Sequence, residues 1–127
     1  MDMIIGGAFQ GKTAYAKDHY PQVESWVNGK KAAEEDLKSA QGVLDFQEYI
    51  KKELAAGREV SHLAGLLLEE NPDMVLVCQE VGYGVVPVDA FERKYREAVG
   101  RVCTELASGA KKVTRVVCGI GTVIRDA

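Results

Sequence analysis

Met3-Ile4-Ile5-Gly6-Gly7-Ala8-Phe9-Gln10-Gly11-Lys12-Thr13 opens the chain with a short apolar run that stops at two glycines. Lys12 to His19 then carries helix-compatible residues up to Tyr20-Pro21, so the predicted order is strand, glycine loop, helix. Gly6, four residues and Gly11-Lys12-Thr13 have the spacing of a phosphate-binding loop. Glycines let the backbone curl so that successive N–H groups point at phosphate oxygens, and the following helix adds its positive N-terminal end. Lys12 is placed to reach the outer phosphates, and the Thr13 hydroxyl suits Mg²⁺. Gly6, Gly7, Ala8, Phe9, Gln10, Gly11, Lys12 and Thr13 are therefore the expected nucleotide-binding residues, with ATP or GTP and Mg²⁺ as ligands.

Outward from the loop, apolar runs alternate with helical stretches. Val23 to Val27 reads as a short strand ending in the turn Asn28-Gly29. Lys31 to Ala40 reads as a mostly solvated helix with a thin stripe of Ala33, Leu37 and Ala40. Val43-Leu44 is a brief strand, followed by a helix carrying Phe46, Tyr49, Ile50 and Leu54 up to Gly57. A second helix, Ser61 to Glu70, is stopped by Asn71-Pro72. Met74 to Cys78 is continuously apolar, as a parallel strand covered on both faces should be. Asp89 caps a long helix with Glu92 three positions on; Phe91, Tyr95, Ala98, Val99, Val102 and Leu106 form one face until Ser108-Gly109. Val113 to Cys118 is the last predicted strand. No Asn-Gly hairpin signal stands between apolar runs in the second half, so the expectation is α/β: a P-loop NTPase-like, mainly parallel sheet of about five strands flanked by helices.

The 127 residues fit one domain, with 46% hydrophobic and 28% charged residues, an ordinary globular balance. A formal net charge of -3 and no basic run longer than two offer nucleic acid no general attraction. The apolar runs fall far short of the roughly 20 residues that span a bilayer. With no signal-peptide pattern at the start, a cytoplasmic protein is expected. Cys78, Cys103 and Cys118 are odd in number and set among apolar residues, which reads as buried thiols rather than a metal or disulfide framework.

Phosphoryl transfer also needs an acidic group to organise Mg²⁺ or accept a proton, commonly at a strand's carboxyl end. Asp45 follows Val43-Leu44, and Glu80 follows Met74 to Cys78. Asp45 reads equally well as the cap of the next helix, and Glu80 equally well as a surface carboxylate. With Lys12, they complete the candidate catalytic set.

Glu80-Val81-Gly82-Tyr83-Gly84-Val85-Val86-Pro87 adds a second distinctive element, a loop with two glycines and a proline after a buried strand. Together with the glycine loop, this stretch resembles the bifunctional adenosylcobinamide kinase and adenosylcobinamide-phosphate guanylyltransferase family, which reads GGARSGKS at the loop and EVGxGIVP here. Tyr95 to Val102 and Val116-Val117-Cys118-Gly119-Ile120-Gly121 continue the resemblance in the same order. It implies a nucleoside triphosphate as one partner, adenosylcobinamide as the other, and a homo-oligomer, the family being trimeric.

The family also carries a histidine that becomes linked to GMP, on a helical segment between the second and third strands. The matching interval here, about 28–42, is short and contains none. His19 and His62 stand elsewhere, at a helix end and near a helix start, and Lys30, Lys31 and Lys38 lie in a segment that reads as exposed. Guanylyl transfer by the family's route is therefore not carried over. The reading is a compact adenosylcobinamide-kinase-like protein. A non-catalytic nucleotide-binding regulatory or assembly module, and a P-loop kinase of another small molecule, are its alternatives.

Overall fold

The run Met3-Ile4-Ile5 takes the centre of a six-stranded sheet because both of its faces find cover. The computed structural model describes residues 1–81 and 89–127. Its strands are β1 (Asp2–Gly6), β2 (Trp26–Asn28), β3 (Gly42–Leu44), β4 (Val75–Gln79), β5 (Lys112–Val117) and β6 (Ile120–Asp126). The helices are α1 (Lys12–His19), α2 (Glu34–Ser39), α3 (Phe46–Ala55), α4 (Leu63–Glu70) and α5 (Ala90–Gly109). Strand order is β2-β3-β4-β1-β5-β6, parallel throughout except for β6. Ile4 sits level with Val77 on one side and Thr114 on the other.

Side chains alternate between two packed layers, as the period of a strand demands. Ile4, Val75, Val77 and Val116 pack with Ala16 of α1. Met3, Leu76, Cys78 and Val113 point the other way, into a larger core with Phe46, Tyr49 and Ile50 of α3, Leu63 and Leu67 of α4, and Val99, Val102 and Leu106 of α5. The uninterrupted apolar character of β4 follows from this double cover: Val75 to Cys78 are all buried. The Asp89 carboxylate caps α5 by accepting the Glu92 N–H at 2.6 Å, while the Glu92 side chain turns forward to Arg96 at 3.2 Å and so does not complete a capping box.

Several expectations are corrected. The sheet has six strands where about five are expected, because the chain reverses at Cys118 (φ 51°) and Gly119 (φ 76°) and returns as antiparallel β6. Two successive left-handed residues form the kind of tight hairpin turn whose usual sequence signal is Asn-Gly, and here Cys-Gly serves instead. Cys118 is consequently exposed, whereas Cys78 is buried with its Sγ 3.5 Å from that of Cys103. The second strand is Trp26–Asn28 rather than Val23 to Val27, since its pairing to β3 sets Asn28 level with Leu44. Ala33 is exposed at the start of α2, and Ala32 takes its place in the core beside Leu37 and Ala40. Phe91 is exposed, off the apolar face that begins at Tyr95. Residues 82–88, with the glycine- and proline-bearing part of the second distinctive element, lie outside the described residues.

Gly65 is exposed within α4, and a Cβ built there meets nothing within 4 Å. Gly65→Ala should therefore raise stability by about 0.5–1 kcal/mol through the lower entropy of the unfolded chain. Urea denaturation checks this, and an unchanged or lower midpoint would contradict it.

Candidate functional site

Gly6 ends β1, Lys12 and Thr13 begin α1, and the five residues between them form the connecting loop. No described residue accepts a hydrogen bond from the main-chain N–H groups of Ala8, Phe9 or Gly11. Helix-entrance N–H groups without a partner are, in general, where anions bind. Lys12 is the one buried side chain of the loop region that carries charge, and its Nζ donates to the Gly7 carbonyl at 2.6 Å. Burial pushes its pKa below the ordinary lysine value, against the opposing pull of Asp45 and Glu80. Phe9 projects fully into solvent from a left-handed backbone (φ 59°).

The loop is braced from the side by the hairpin that sequence reading missed. The Gln10 carbonyl accepts the Gly119 N–H at 2.8 Å, and its side-chain Oε1 accepts the Cys118 N–H at 2.7 Å. One turn into α1, the Tyr15 ring lies over Gly121, where a Cβ would come within 2.4 Å of the ring carbons. Gly121 thus owes its lack of a side chain to a close fit against α1.

Glu80 and Asp45 both stand at the carboxyl edge of the sheet, as the sequence predicts. Glu80 is tied to the loop strand by its own N–H, which donates to the Gly6 carbonyl at 2.8 Å. Its carboxylate is paired with Arg115 of β5: Nη2 donates to Oε2 at 3.2 Å, and Nε lies 3.1 Å from Oε1. Asp45 precedes α3 without capping it; its Oδ2 instead accepts from Asn28 Nδ2 at 3.1 Å. Arg115 and Asn28 were not read as site residues. The signal for Arg115 was a lone cation inside the apolar run Val113 to Cys118, and Asn28 was hidden by its value as a turn residue.

Between α5 and the ends of β1 and β4 opens a cavity of about 380 Å³, with Ile5, Cys78, Glu80, Val99, Cys103 and Thr104 among its walls. It is mostly apolar, with a carboxylate in its wall, and falls within the size range of small-molecule pockets. The histidines are engaged elsewhere. His19 stacks on Tyr15 with ring centroids 3.8 Å apart, and His62 Nε2 lies 2.5 Å from Glu34 Oε1. Among the described residues, no group of three or more His, Cys, Asp or Glu side chains could hold a metal, and no helix is long and apolar enough to cross a membrane.

A parallel sheet with a strand-to-helix glycine loop at its carboxyl edge defines a P-loop NTPase-like α/β protein. A family model described as cobinamide kinase / cobinamide phosphate guanyltransferase matches residues 30–124, and the chain belongs to that family. It is 37% identical over 81 residues to the bifunctional adenosylcobalamin biosynthesis protein CobU of Escherichia coli (strain K12), covering 64% of this chain and 45% of that protein. The protein of the same name from Salmonella typhimurium (strain LT2) is 37% identical over 78 residues, covering 61% of this chain and 43% of its own length. The matched stretch thus spans less than half the length of either curated relative. The family match takes in Asp45, Glu80 and the Cys118-Gly119 turn but begins after the glycine loop at residues 6–13.

Replacing Gln10 by Ala removes one of the two bonds that tie loop to hairpin. Hydrogen exchange at the Cys118 amide should then accelerate while that at Gly119, bonded to the main chain of residue 10, changes little; equal protection of Cys118 in both proteins would contradict the brace.

Proposed function

We propose that residues 1–127 form one nucleotide-binding domain that holds ATP or GTP in the loop Gly6 to Thr13 and transfers the terminal phosphoryl group to an alcohol of a cobinamide-type corrinoid. The observation that carries this reading is the loop itself: main-chain N–H groups that no described residue accepts from, and a buried lysine at a helix start whose charge feels two carboxylates. Family membership supplies the acceptor class, since the relatives are named for cobinamide and for adenosylcobalamin biosynthesis.

In the proposed mechanism, Lys12 leaves the Gly7 carbonyl and takes an outer phosphate oxygen, restoring in charge what burial costs it. Thr13 and one of the carboxylates Asp45 and Glu80 would hold Mg²⁺, which when bound neutralises charge between the outer phosphates. The donors fit a hard cation, hydroxyl and carboxylate oxygens in place of sulfur or imidazole. A carboxylate also accepts the proton of the attacking hydroxyl. The cavity walled by Glu80 admits a small arm of the acceptor. Catalysis is then mainly positioning and charge neutralisation. The family resemblance adds a homo-trimer in the cytoplasm to the proposal.

A nucleotide-binding module without phosphoryl transfer is the second reading, favoured by the ion pair that already occupies Glu80. Guanylyl transfer is not proposed: the interval between β2 and β3 holds only the six-residue helix α2 and no histidine. Turnover of ATP and GTP with and without adenosylcobinamide separates the readings. A phosphorylated corrinoid supports the kinase, and nucleotide binding without any product supports the module.

Titration of ATP and GTP into wild type and Lys12→Ala tests the site itself. Loss of a charge-assisted bond should weaken binding by about tenfold or more; equal affinity would contradict the proposal. Polyphosphate binds the protonated lysine better, so it raises the Lys12 pKa from its lowered free-state value. Affinity should be greatest below the free-state pKa and fall as pH rises through it, with proton uptake on binding over that window. Calorimetry in two buffers of different ionisation enthalpy measures the uptake, and Lys12→Ala should abolish it.

A further inference from the structure

Two thiols meet in the wall of the cavity beside α5, one from the sheet and one from the helix that covers it. Cys78 lies in β4 and is enclosed at 1% exposure, while Cys103 of α5 packs against the same core and is half-buried. Their sulfurs stand 3.5 Å apart, with the Cys103 S–H donating to Cys78 Sγ and the Cys78 S–H donating to the Gln79 carbonyl at 3.6 Å. No atom fits between two sulfurs at that separation. Both are free thiols. A disulfide has its sulfurs about 2.05 Å apart, so closing this pair asks them to approach by roughly 1.5 Å.

The two sulfurs differ in freedom to move and in access to a reagent. Cys78 is held by the sheet: β4 pairs with β1 along its whole length, with Ile5 level with Cys78, and the next N–H, that of Gln79, donates to Gln47 Oε1 of α3 at 2.9 Å. Cys103 sits beside open space. It lines the cavity with Gly100, Thr104 and Ala107 of its own helix, and a Cβ built on Gly100 meets nothing within 4 Å. A close-packed interior resists such an approach, whereas a side chain at a cavity edge turns without pushing neighbours aside. The partial exposure of Cys103 also lets a water-sized oxidant reach its sulfur, and enclosed Cys78 offers almost no surface. Cys118, exposed in the β5–β6 turn, provides the internal comparison.

We infer that Cys78 and Cys103 form an oxidisable dithiol: hydrogen peroxide, or a hydroperoxide of similar size, oxidises Cys103, and Cys78 resolves the product to a disulfide that ties α5 to β4. The Cys103 sulfur, as its thiolate, attacks one peroxide oxygen and the O–O bond breaks. The other oxygen leaves as hydroxide and takes up the proton that the thiol released, giving water. The Cys78 sulfur then attacks the sulfenic sulfur of Cys103, the S–O bond breaks, and the hydroxyl leaves with the Cys78 proton as a second water. Two thiols and one hydrogen peroxide thus give one disulfide and two waters, with two electrons passing from sulfur to oxygen. Two equivalents of an added thiol reverse the bond. While it lasts, the bond fixes the cavity wall by holding α5 against the sheet.

The test is a peptide map of the whole chain after graded hydrogen peroxide under native conditions, with remaining thiols alkylated and no reductant added. Trypsin puts the three cysteines on separate peptides, since Arg93 and Arg101 stand between Cys78 and Cys103, and Lys111, Lys112 and Arg115 between Cys103 and Cys118. The expected product has the Cys78 and Cys103 peptides linked to each other, and dithiothreitol separates them. Cys78→Ser should stop at a sulfenic acid on Cys103, trapped by dimedone, and in Cys103→Ser the Cys78 thiol should react about tenfold more slowly than Cys103 does. In Cys118→Ser, which keeps the pair and lacks the exposed thiol, oxidation should raise the melting midpoint by about 5–10 °C, and reductant should reverse the rise. Linkage through Cys118 alone, or free Cys78 and Cys103 once Cys118 is fully oxidised, would overturn the inference in wild type, whether or not the serine variants fold. A disulfide that leaves the midpoint unchanged or lower would overturn the claim that the native packing accommodates the bond.

Discussion

Lys12 is buried at the first position of α1, and a buried ammonium needs a hydrogen-bond partner. The Gly7 carbonyl, 2.6 Å from Lys12 Nζ, meets that need. The bond spans the glycine loop from its end to its start; were the loop to bind an anion as proposed, much of the cost of organising it would be met in folding and not at binding. The surrounding packing preserves the arrangement: Ala16 seats α1 on Ile4 and Val116, and Gln10 ties the loop to the β5–β6 turn.

That turn explains why a strand with so much exposed surface is present. β6 adds little to either core, and Ile120, Val123 and Ile124 are largely exposed. Its contribution is to fix the Cys118-Gly119 reversal against Gln10 and to lay Gly121 beneath Tyr15. A hairpin lies on one flank of the loop and Glu80, bonded to Gly6, on the other, at the carboxyl edge of the sheet, where α/β folds bind their ligands.

Much of this was legible in the sequence, and the pattern of what was not is physical. The α1 boundaries, the doubly covered β4 and the apolar faces of α3 and α5 from Tyr95 onward follow from periodicity and burial, which local sequence records directly. The order of strand, glycine loop and helix was readable because an apolar run, a pair of glycines and a helix-compatible stretch follow one another directly. Arg115 and Asn28 were missed because their roles depend on pairing across strands distant in sequence: Arg115 reaches Glu80 thirty-five residues away, and Asn28 reaches Asp45 only through the β2–β3 register. β6 was missed because Cys-Gly carries no conventional hairpin signal, and its left-handed cysteine is held by contact with Gln10.

The most direct measurement is a crystal structure of the protein with Mg²⁺ and a nonhydrolysable nucleoside triphosphate. Phosphate oxygens are expected among the N–H groups of residues 8–11, with Lys12 Nζ moved from the Gly7 carbonyl onto a phosphate. A loop without phosphate, and Lys12 still bonded to Gly7 at saturating nucleotide, would contradict it.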